Sequence, residues 1–561
     1  MAELLEIEGA NAFRVRAYRN AARVVEEHAE PVASLVEGDG RRLQELPGIG
    51  ADLAGKIEEI VRTGSLAALS EVRRKAPKGA VELMRVPGIG PSRARTLAGT
   101  LGIRSVAGLA RAAKAGKIRA LPGFGAASER KILAELGART AGERRISRAV
   151  AAQYGESVLE YLRAFEGVTR ADIAGSFRRG RETVGDLDIL VECADGQAVS
   201  DRFVAFPEVR EVLAHGATRA SVVLRSGLQI DLRVLDAKSY GAGLYYFTGS
   251  KAHNIAVRRL GQKRGLKLNE YGVFRGTRQI AGAREQDVFR AVGLPWIPPE
   301  LREDRGEIEA ALHHGLPDLV TLDDIRGDLQ MHSTDSDGRG SLEEMAETAE
   351  AMGYAYIAVT DHGPMMRMVR GLDDAGFRRQ RKKIDRLNAK LRKLTVLAGA
   401  EVDIHPDGTL DLTDDTLAGL DIVFVALHAR LDLAPEKQTE RVLRALTHPH
   451  VDVFAHPTGR LINGRRGAQV DFDRVVKAAV DHGVMLEVDA QPERLDLDDT
   501  AVRSAIGLGA TIVIDTDAHS PNELRFMRWG VDQARRGWAE KKNVANTRPL
   551  SRFLKLLHAS R

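Results

Sequence analysis

Three aspartates and a series of histidines carry the chemistry of this chain. Asp186 and Asp188 lie two residues apart in the run GSFRRGRETVGDLDIL, from Gly175 to Leu190. Side chains two apart on a strand leave by the same face, so both carboxylates would point one way. Asp231, in the strand-like run QIDLR, can add a third oxygen from a neighbouring strand. Like charges this close are costly unless cations lie between them, and three carboxylates can hold two Mg²⁺ or Mn²⁺ ions. Such a pair activates an attacking hydroxyl and neutralises a triphosphate and its leaving group. For an Asp-x-Asp pair alone, surface aspartates on an edge strand are the favoured reading. The residues just upstream tip the balance, because Ser176 and Arg179 suit β- and γ-phosphates.

A second constellation occupies residues 326–561. His332 and Asp337 (LQMHSTDSDG), His362 (VTDHG), Glu401 (GAEVDIHP), His428 (VALHA), His456 (FAHPTGR), and Asp517 with His519 (DTDAHSP) follow or end short apolar runs. A lone histidine at a strand end is usually structural. Eight metal-capable side chains at the same end of successive strands ask for another explanation. Mixed His/carboxylate ligation suits Zn²⁺ or Mn²⁺, and several ions can share such a cluster. Arg460, Arg465 and Arg466 follow His456, either as phosphate contacts or as a solvated loop.

The elements that position these residues can be read from periodicity. In the back half, β-rich runs (YAYIAVTDH, LTVLAGAEVDI, DIVFVALH, VDVFAHP, VMLEVDA, ATIVIDTDAH) alternate with helical patterns, which predicts a parallel (β/α) barrel with chemistry at its C-terminal rim. Around the aspartates, a helix from Ser157 leads to RADIAG, DLDILVE, SVVLRSGLQIDLRVL with a Ser226-Gly227 turn, and LKLNEYGVF. That is an α+β domain. The first 140 residues repeat a unit three times: LQELPGIGADLAGKIEEI, LMRVPGIGPSRARTLAGTLG and IRALPGFGAASERKILAELG. In each copy two glycines (Gly48 and Gly50, Gly88 and Gly90, Gly123 and Gly125) permit a tight turn that aims backbone N–H groups from the start of the second helix.

Composition sets limits. With 43% hydrophobic and 29% charged residues, and no apolar run near the roughly 20 residues a bilayer demands, this is not a membrane protein. One cysteine, Cys193, excludes an intrachain disulfide and a cysteine-built metal site, and it reads as a small buried hydrophobe. The N-terminal MAELLEIEGANAFRVRAYRN reads as an amphipathic helix without the order of a secretory signal, so a cytoplasmic, nucleoid-associated monomer is expected. The first 140 residues hold 23 Lys and Arg against 16 Asp and Glu, whereas residues 321–561 hold 34 against 38. The front suits a polyanion and the back suits cations.

Gly-Ser before Asp-x-Asp, together with Tyr246-Phe247-Thr248-Gly249-Ser250, resembles the family X DNA polymerases. The resemblance covers residues 1–300. It implies a palm and thumb in which Asp186, Asp188 and Asp231 are catalytic. Gly175, Ser176, Arg179 and Gly185 join the nucleotide site, where Tyr246, Phe247 and Gly249 shape the sugar pocket and Asn254 and Arg258 contact the nucleotide and template. Two departures are Gln229, where animal members carry arginine, and Lys251, which replaces an aspartate. The three repeats resemble helix-hairpin-helix motifs, which grip DNA phosphates without reading bases. Lys56 falls where animal members carry a Schiff-base lysine, with Tyr18 and Arg14 at supporting positions. Asp52 and Ala68 replace basic residues there, so an ordinary phosphate contact is the preferred reading and a lyase nucleophile the alternative.

The order His, Asp, His, Glu, His, His, Asp-x-His is similar to the PHP (polymerase and histidinol phosphatase) domain, which bacterial family X polymerases commonly carry at their C-terminus. One ligand position departs, because Gln330 stands where the opening histidine is usual. The resemblance implies a multidomain protein: all-α helix-hairpin-helix domains (1–80 and 81–140), an α+β nucleotidyltransferase palm (141–235) and thumb (236–300), a linker (301–325) and a distorted (β/α) barrel of PHP type (326–561). It implies template-directed gap filling in DNA repair, with gapped or primer-template DNA and dNTPs as partners. It also implies a 3′→5′ exonuclease, with abasic-site cleavage as a further candidate activity. Two rivals stay open: a small-molecule phosphoesterase tethered to DNA, and a non-catalytic DNA-binding scaffold for repair partners.

Overall fold

The computed structural model describes residues 1–8, 10–26, 32–36, 41–46, 48–75, 77, 79–84, 86, 89–121, 124–125, 128–129, 132, 145–366 and 369–560. The chain divides into two compact units, Met1–Arg144 and Arg145–Arg561.

The first unit is helical among its described residues. The N-terminal stretch forms two helices, Ala2–Glu8 and Ala12–Glu26, where the sequence predicted one. Asn11 is the reason, because its side chain accepts a hydrogen bond from the Phe13 N–H at 2.8 Å and caps the second helix. The first repeat pairs Arg41–Gln44 with Ala51–Thr63, and the second pairs Ala80–Met84 with Pro91–Thr100. In both, the residue before the second helix is an extended glycine, Gly50 or Gly90, with no side-chain cap. The first-turn N–H groups therefore face outward unsatisfied by side chains. Gly48 takes φ +81°, which a glycine adopts without strain. Gly125 holds the place of Gly50 and Gly90 in the third copy, its carbonyl accepting from Glu129 N at 2.9 Å. Gly88 and Gly123 lie outside the described residues.

In the second unit, a five-stranded sheet is built from β1 (Arg170–Ile173), β2 (Asp186–Glu192), β3 (Val209–Gly216), β4 (Arg219–Leu224) and β5 (Gln229–Leu235), in the order β1-β2-β5-β4-β3. The β2–β5 pair is parallel and the other pairs are antiparallel. Helix Arg148–Arg163 covers one face of this sheet through Ala151, Val158 and Leu162, which pack with Leu187, Ile189 and Ile230. A smaller antiparallel sheet follows: β6 (Lys267–Asn269), β7 (Gly272–Arg275) and β8 (Arg278–Ala281). Residues 299–324 are a packed connection, because Leu301, Arg302 and Glu307 are all buried.

The back of the chain holds seven parallel strands in sequential order: β9 (Gly327–Asp328), β10 (Tyr356–Val359), β11 (Thr395–Asp403), β12 (Ile422–Ala426), β13 (Val453–Phe454), β14 (Met485–Asp489) and β15 (Ile512–Asp515). Met331 and Ala518 bridge just past β9 and β15, which brings the first strand to the last. Alternate residues of these strands face opposite ways. Tyr356, Ala358, Leu397, Phe424, Met485 and Val513 form an inner cluster, with Phe553 and Leu557 of the C-terminal helix Leu550–Ser560 against it. Tyr356, the first residue of β10, stacks on Phe553 at 5.4 Å, so this helix plugs the N-terminal end. The opposite parity, including Ile357, Val359, Val423 and Leu486, packs under the outer helices. No helix among the described residues is long and apolar enough to cross a membrane.

Candidate active sites

The palm aspartates are placed by strand register. Asp188 lies directly opposite Asp231 across the parallel β2–β5 pair, and Asp186 lies opposite Gln229. Ser221 on β4 donates to Asp231 Oδ1, and Gln229 Nε2 donates to Oδ2 at 3.1 Å. Gln229 thus fixes the carboxylate it neighbours. Burial, then the charges of Asp186 and Asp231, pushes the Asp188 carboxyl up to about 7. Asp186 is raised as well, by desolvation and by Asp231, with Arg145 opposing. A site that resists its own negative charge in this way is matched to divalent cations.

The turn before these strands is shaped around Asp188. Gly175 has φ +62°, and a Cβ there would lie 2.5 Å from Asp188 Oδ2. Only glycine fits. Ala174 N donates to the Asp188 carbonyl at 2.7 Å, which ties the Gly175–Arg178 turn to β2. Arg178 grips Glu285 with both Nη atoms, at 2.7 and 3.0 Å, and also donates to Thr248 Oγ1. Arg179 donates through Nε to Glu303 at 3.0 Å and through Nη1 to the Thr248 carbonyl. The two arginines therefore tie the turn to the 246–250 segment. There Tyr246 and Phe247 meet edge to face at 5.2 Å, Asn254 Nδ2 donates to the Tyr246 carbonyl at 2.8 Å, and Ser250 caps helix Lys251–Lys263. Asn254 and Arg258, four apart on that helix, share a face. Gly185 is exposed beside Asp186, and Lys251 is exposed at the helix start.

The barrel cluster sits at the C-terminal end of the strands. Four overlapping groups have ligand atoms within 4.8 Å of one another: His332, Asp337, His362 and His519; His362, Glu401 and His428; His332, Glu401 and Asp517; His456, Asp489 and Asp517. Glu401 is central, with Oε2 3.1 Å from His362 Nδ1 and Oε1 3.3 Å from both His428 Nε2 and His456 Nε2. His332 Nε2 lies 2.9 Å from Asp517 Oδ1, and Asp337 Oδ2 lies 3.5 Å from His362 and 3.4 Å from His519. All eight predicted His, Asp and Glu ligands are thus brought together. Gln330 is buried as well.

Metal fits this cluster on the structure's own terms. Both side-chain polar atoms of Gln330, both carboxylate oxygens of Glu401, and Nδ1 of His332, His362 and His456 are buried without hydrogen-bond partners. Leaving such groups unsatisfied is expensive, and a cation satisfies several at once. Desolvation is outweighed by the neighbouring carboxylates at His428 and His519, which are raised to about 9, whereas burial and Arg494 lower His456 to about 3. The surrounding histidines hold Asp337, Glu401 and Asp517 low against their burial.

Several participants escaped sequence reasoning. Arg233 lies two residues beyond Asp231, on the same face, over the Phe247 ring at 4.9 Å, and its charge opposes the rise at Asp188. Asp403 lies two beyond Glu401 and orients His428 through Nδ1 at 3.1 Å, an outer contact of the kind that fixes ligand rings. Asp489 joins the metal-capable set. For Arg233 and Asp403 the signal is strand alternation from a residue already singled out, whereas Asp489 ends a strand on which the sequence marked no ligand. Arg460 is committed to Glu182 of the palm at 2.7 Å, and Arg465 to the Gly459 carbonyl at 2.8 Å. Arg466 is exposed. Lys56 donates to Asp52 at 2.5 Å and lies 5.2 Å from the Tyr18 ring centre. Desolvation opposes, but these partners raise its pKa, the reverse of what an amine nucleophile needs.

Comparison with known proteins agrees with this layout. Family models match a helix-hairpin-helix domain at 1–66, a SAM-like helix-hairpin-helix tandem at 80–138, a DNA polymerase beta palm at 145–260, a DNA polymerase beta thumb at 243–303 and a PHP domain at 328–490. The "DNA polymerase/3'-5' exonuclease PolX" of Bacillus subtilis (strain 168) is 38% identical over 554 residues, 98% of this chain and 96% of that one. The chain belongs to the family X DNA polymerases that carry a PHP domain. DNA polymerase lambda of Rattus norvegicus is 25% identical over 336 residues, covering 54% of each chain. A "Probable phosphatase" of Acetivibrio thermocellus is 32% identical over 152 residues, 26% of this chain and 58% of that one. Separate family models thus match the palm and the barrel of this family X polymerase.

Proposed function

We propose that this chain fills short gaps in DNA during repair and removes 3′-terminal nucleotides with its barrel. The supporting observation is the pairing of two separate sites in one chain: Asp188 opposite Asp231 beside the Gly175 turn, and four overlapping metal-capable groups at the barrel mouth. In this reading Asp186, Asp188 and Asp231 hold Mg²⁺ or Mn²⁺, which supplies charge neutralisation for the triphosphate and acidifies the primer 3′-hydroxyl. Ser176 and Arg179, whose Nε and Nη1 are engaged by Glu303 and the Thr248 carbonyl and whose Nη2 has no hydrogen bond to the described residues, receive the β- and γ-phosphates. Tyr246, Phe247 and Gly249 shape the sugar pocket. Asn254 and Arg258 face the base pair. Gly48, Gly50, Gly88, Gly90, Gly123 and Gly125 let backbone N–H groups approach DNA phosphates, and Lys56 adds a phosphate contact.

At the barrel, Gln330, His332, Asp337, His362, Glu401, His428, His456, Asp517 and His519 hold Zn²⁺, Mn²⁺ or both, which polarises a phosphodiester and lowers the pKa of a water. Abasic sites are a further substrate of this cluster. The setting is base-excision or break repair, in a cytoplasmic, nucleoid-associated monomer.

The decisive experiment supplies gapped DNA and one nucleotide at a time with Mg²⁺ or Mn²⁺. Templated single-nucleotide addition supports the polymerase assignment; untemplated addition or none overturns it. The likeness of the barrel to a phosphatase favours a second reading, a small-molecule phosphoesterase. Faster turnover of a phosphomonoester than of single-stranded DNA would establish it instead.

A further inference from the structure

Helix Met527–Arg536 belongs to the barrel by chain order, yet one of its faces is built into the palm. Trp529, Asp532 and Arg536 fall on that face, at three- and four-residue spacings. Trp529 is buried in a cluster with Ala152 and Leu495, against which Ala149 and Phe177 pack. The Arg148 guanidinium lies 5.1 Å from the Phe177 ring centre and 5.0 Å from that of Trp529, and it donates to Asp532 at 2.6 Å. Phe177 is part of the Gly175–Arg178 turn that carries Ser176. The barrel helix thus presses on the back of the turn whose front faces Asp188.

Arg536 makes the more specific contact. Its side chain is 2% exposed. Nη1 donates to the backbone carbonyl of Arg179 at 2.6 Å and to Glu303 Oε1 at 3.1 Å, and Nη2 donates to Asp499 Oδ2. The same Glu303 oxygen accepts from Arg179 Nε at 3.0 Å. Gly180 makes room, because a Cβ there would lie 3.3 Å from Arg536 Cδ. Arg179 is therefore held at its backbone by Arg536, at Nε by Glu303 and at Nη1 by the Thr248 carbonyl, leaving Nη2 for a ligand. A long flexible cation fixed before its ligand arrives has less freedom to lose on binding.

We propose that Arg536 is a positioning residue of the polymerase site: acting through the Arg179 carbonyl and Glu303, it presets the Arg179 guanidinium for the nucleotide triphosphate. The barrel half then supplies part of the nucleotide-binding geometry. This rests on the assignment of Arg179 as a phosphate ligand. A contact that served only to join the two halves would lower stability and affect both activities together. A positioning contact acts on dNTP binding and only through Arg179.

The test uses the full-length protein and compares wild type, Arg536→Ala, Arg179→Ala and the double variant. The readouts are single-nucleotide gap-filling kinetics, single-stranded DNA degradation and melting temperature. The expected result for Arg536→Ala is a dNTP KM raised about tenfold, with degradation within about twofold, and a double variant no worse than Arg179→Ala by more than about twofold. An unchanged KM in Arg536→Ala with degradation intact, or effects of the two substitutions that multiply, would overturn the proposal. If Arg536→Ala fails to fold, Glu303→Gln, which keeps shape and removes the bridging charge, faces the same two outcomes. An unchanged KM in Arg179→Ala would instead remove the phosphate-ligand assignment, and a wild type that adds no nucleotide would remove the polymerase reading itself.

Discussion

The palm and barrel sites solve one electrostatic problem in two ways. In the palm, three aspartates come from two adjacent strands, with Asp188 opposite Asp231, and burial together with their mutual repulsion is left standing, so that Asp188 rises to about 7. In the barrel, carboxylates are interspersed with histidines from residue 332 to residue 519, and Glu401 lies within 3.3 Å of three imidazoles. The barrel cluster is largely neutralised and buried, whereas Asp186 is exposed. The lesson is that the palm is arranged for cations that arrive with the substrate and the barrel for resident ones.

The largest expected effects separate the two sites. Replacing Asp186 and Asp188 together with alanine should lower gap filling by about 10³-fold or more, the several kcal/mol that metal-held charge supplies, with single-stranded DNA degradation unchanged. Glu401→Ala should do the reverse, removing degradation and the ions measured by elemental analysis while extension persists. Loss of both activities in either variant would break the comparison. Next is Gly175→Ala, which drives a methyl group into Asp188. An expected loss of about 10²-fold in kcat, from misplacing a reacting group by an ångström or less, should appear without any change in melting temperature large enough to unfold the palm.

A smaller effect follows from pH. An acid raised to about 7 is protonated below that pH, and a divalent ion must displace the proton. The Mg²⁺ concentration for half-maximal extension should therefore rise up to about tenfold per pH unit below 7 and level off above it. A flat profile from pH 6 to 8 would mean that Asp188 is ionised throughout. Smallest is Gln330→His, which supplies a softer donor at a buried position. Retention of Zn²⁺ during dialysis against a weak chelator should improve by a few-fold, with extension unaffected.

The strongest local patterns were legible in the sequence. Asp-x-Asp on a strand, the repeated Pro-Gly-x-Gly hairpins and six of the seven barrel strands can all be read from alternation and turn residues. Strand β9 is Gly327-Asp328, neither residue a strand former, whereas the equally short β13 is Val453-Phe454. Strand β3 was also missed, because as an edge strand it buries none of its residues fully, and alternation is visible only where one face meets a core. Arg233 and Asp403 were within reach of the alternation rule, two residues beyond Asp231 and Glu401. Arg536 was not, because its contact with Arg179 joins positions 357 residues apart, and no local pattern encodes a pairing of that range.

The barrel cluster also has a consequence for the life of the chain. Its ligands come from both ends of the barrel sequence, and His332 and Asp517, 185 residues apart, already touch. An ion held between them acts as a reversible cross-link, closing a loop whose ends would otherwise separate on unfolding. Stability gained in this way grows with ion supply. A cell short of the ion would first lose the nuclease and then, as proteases find the loosened barrel, the polymerase attached to it.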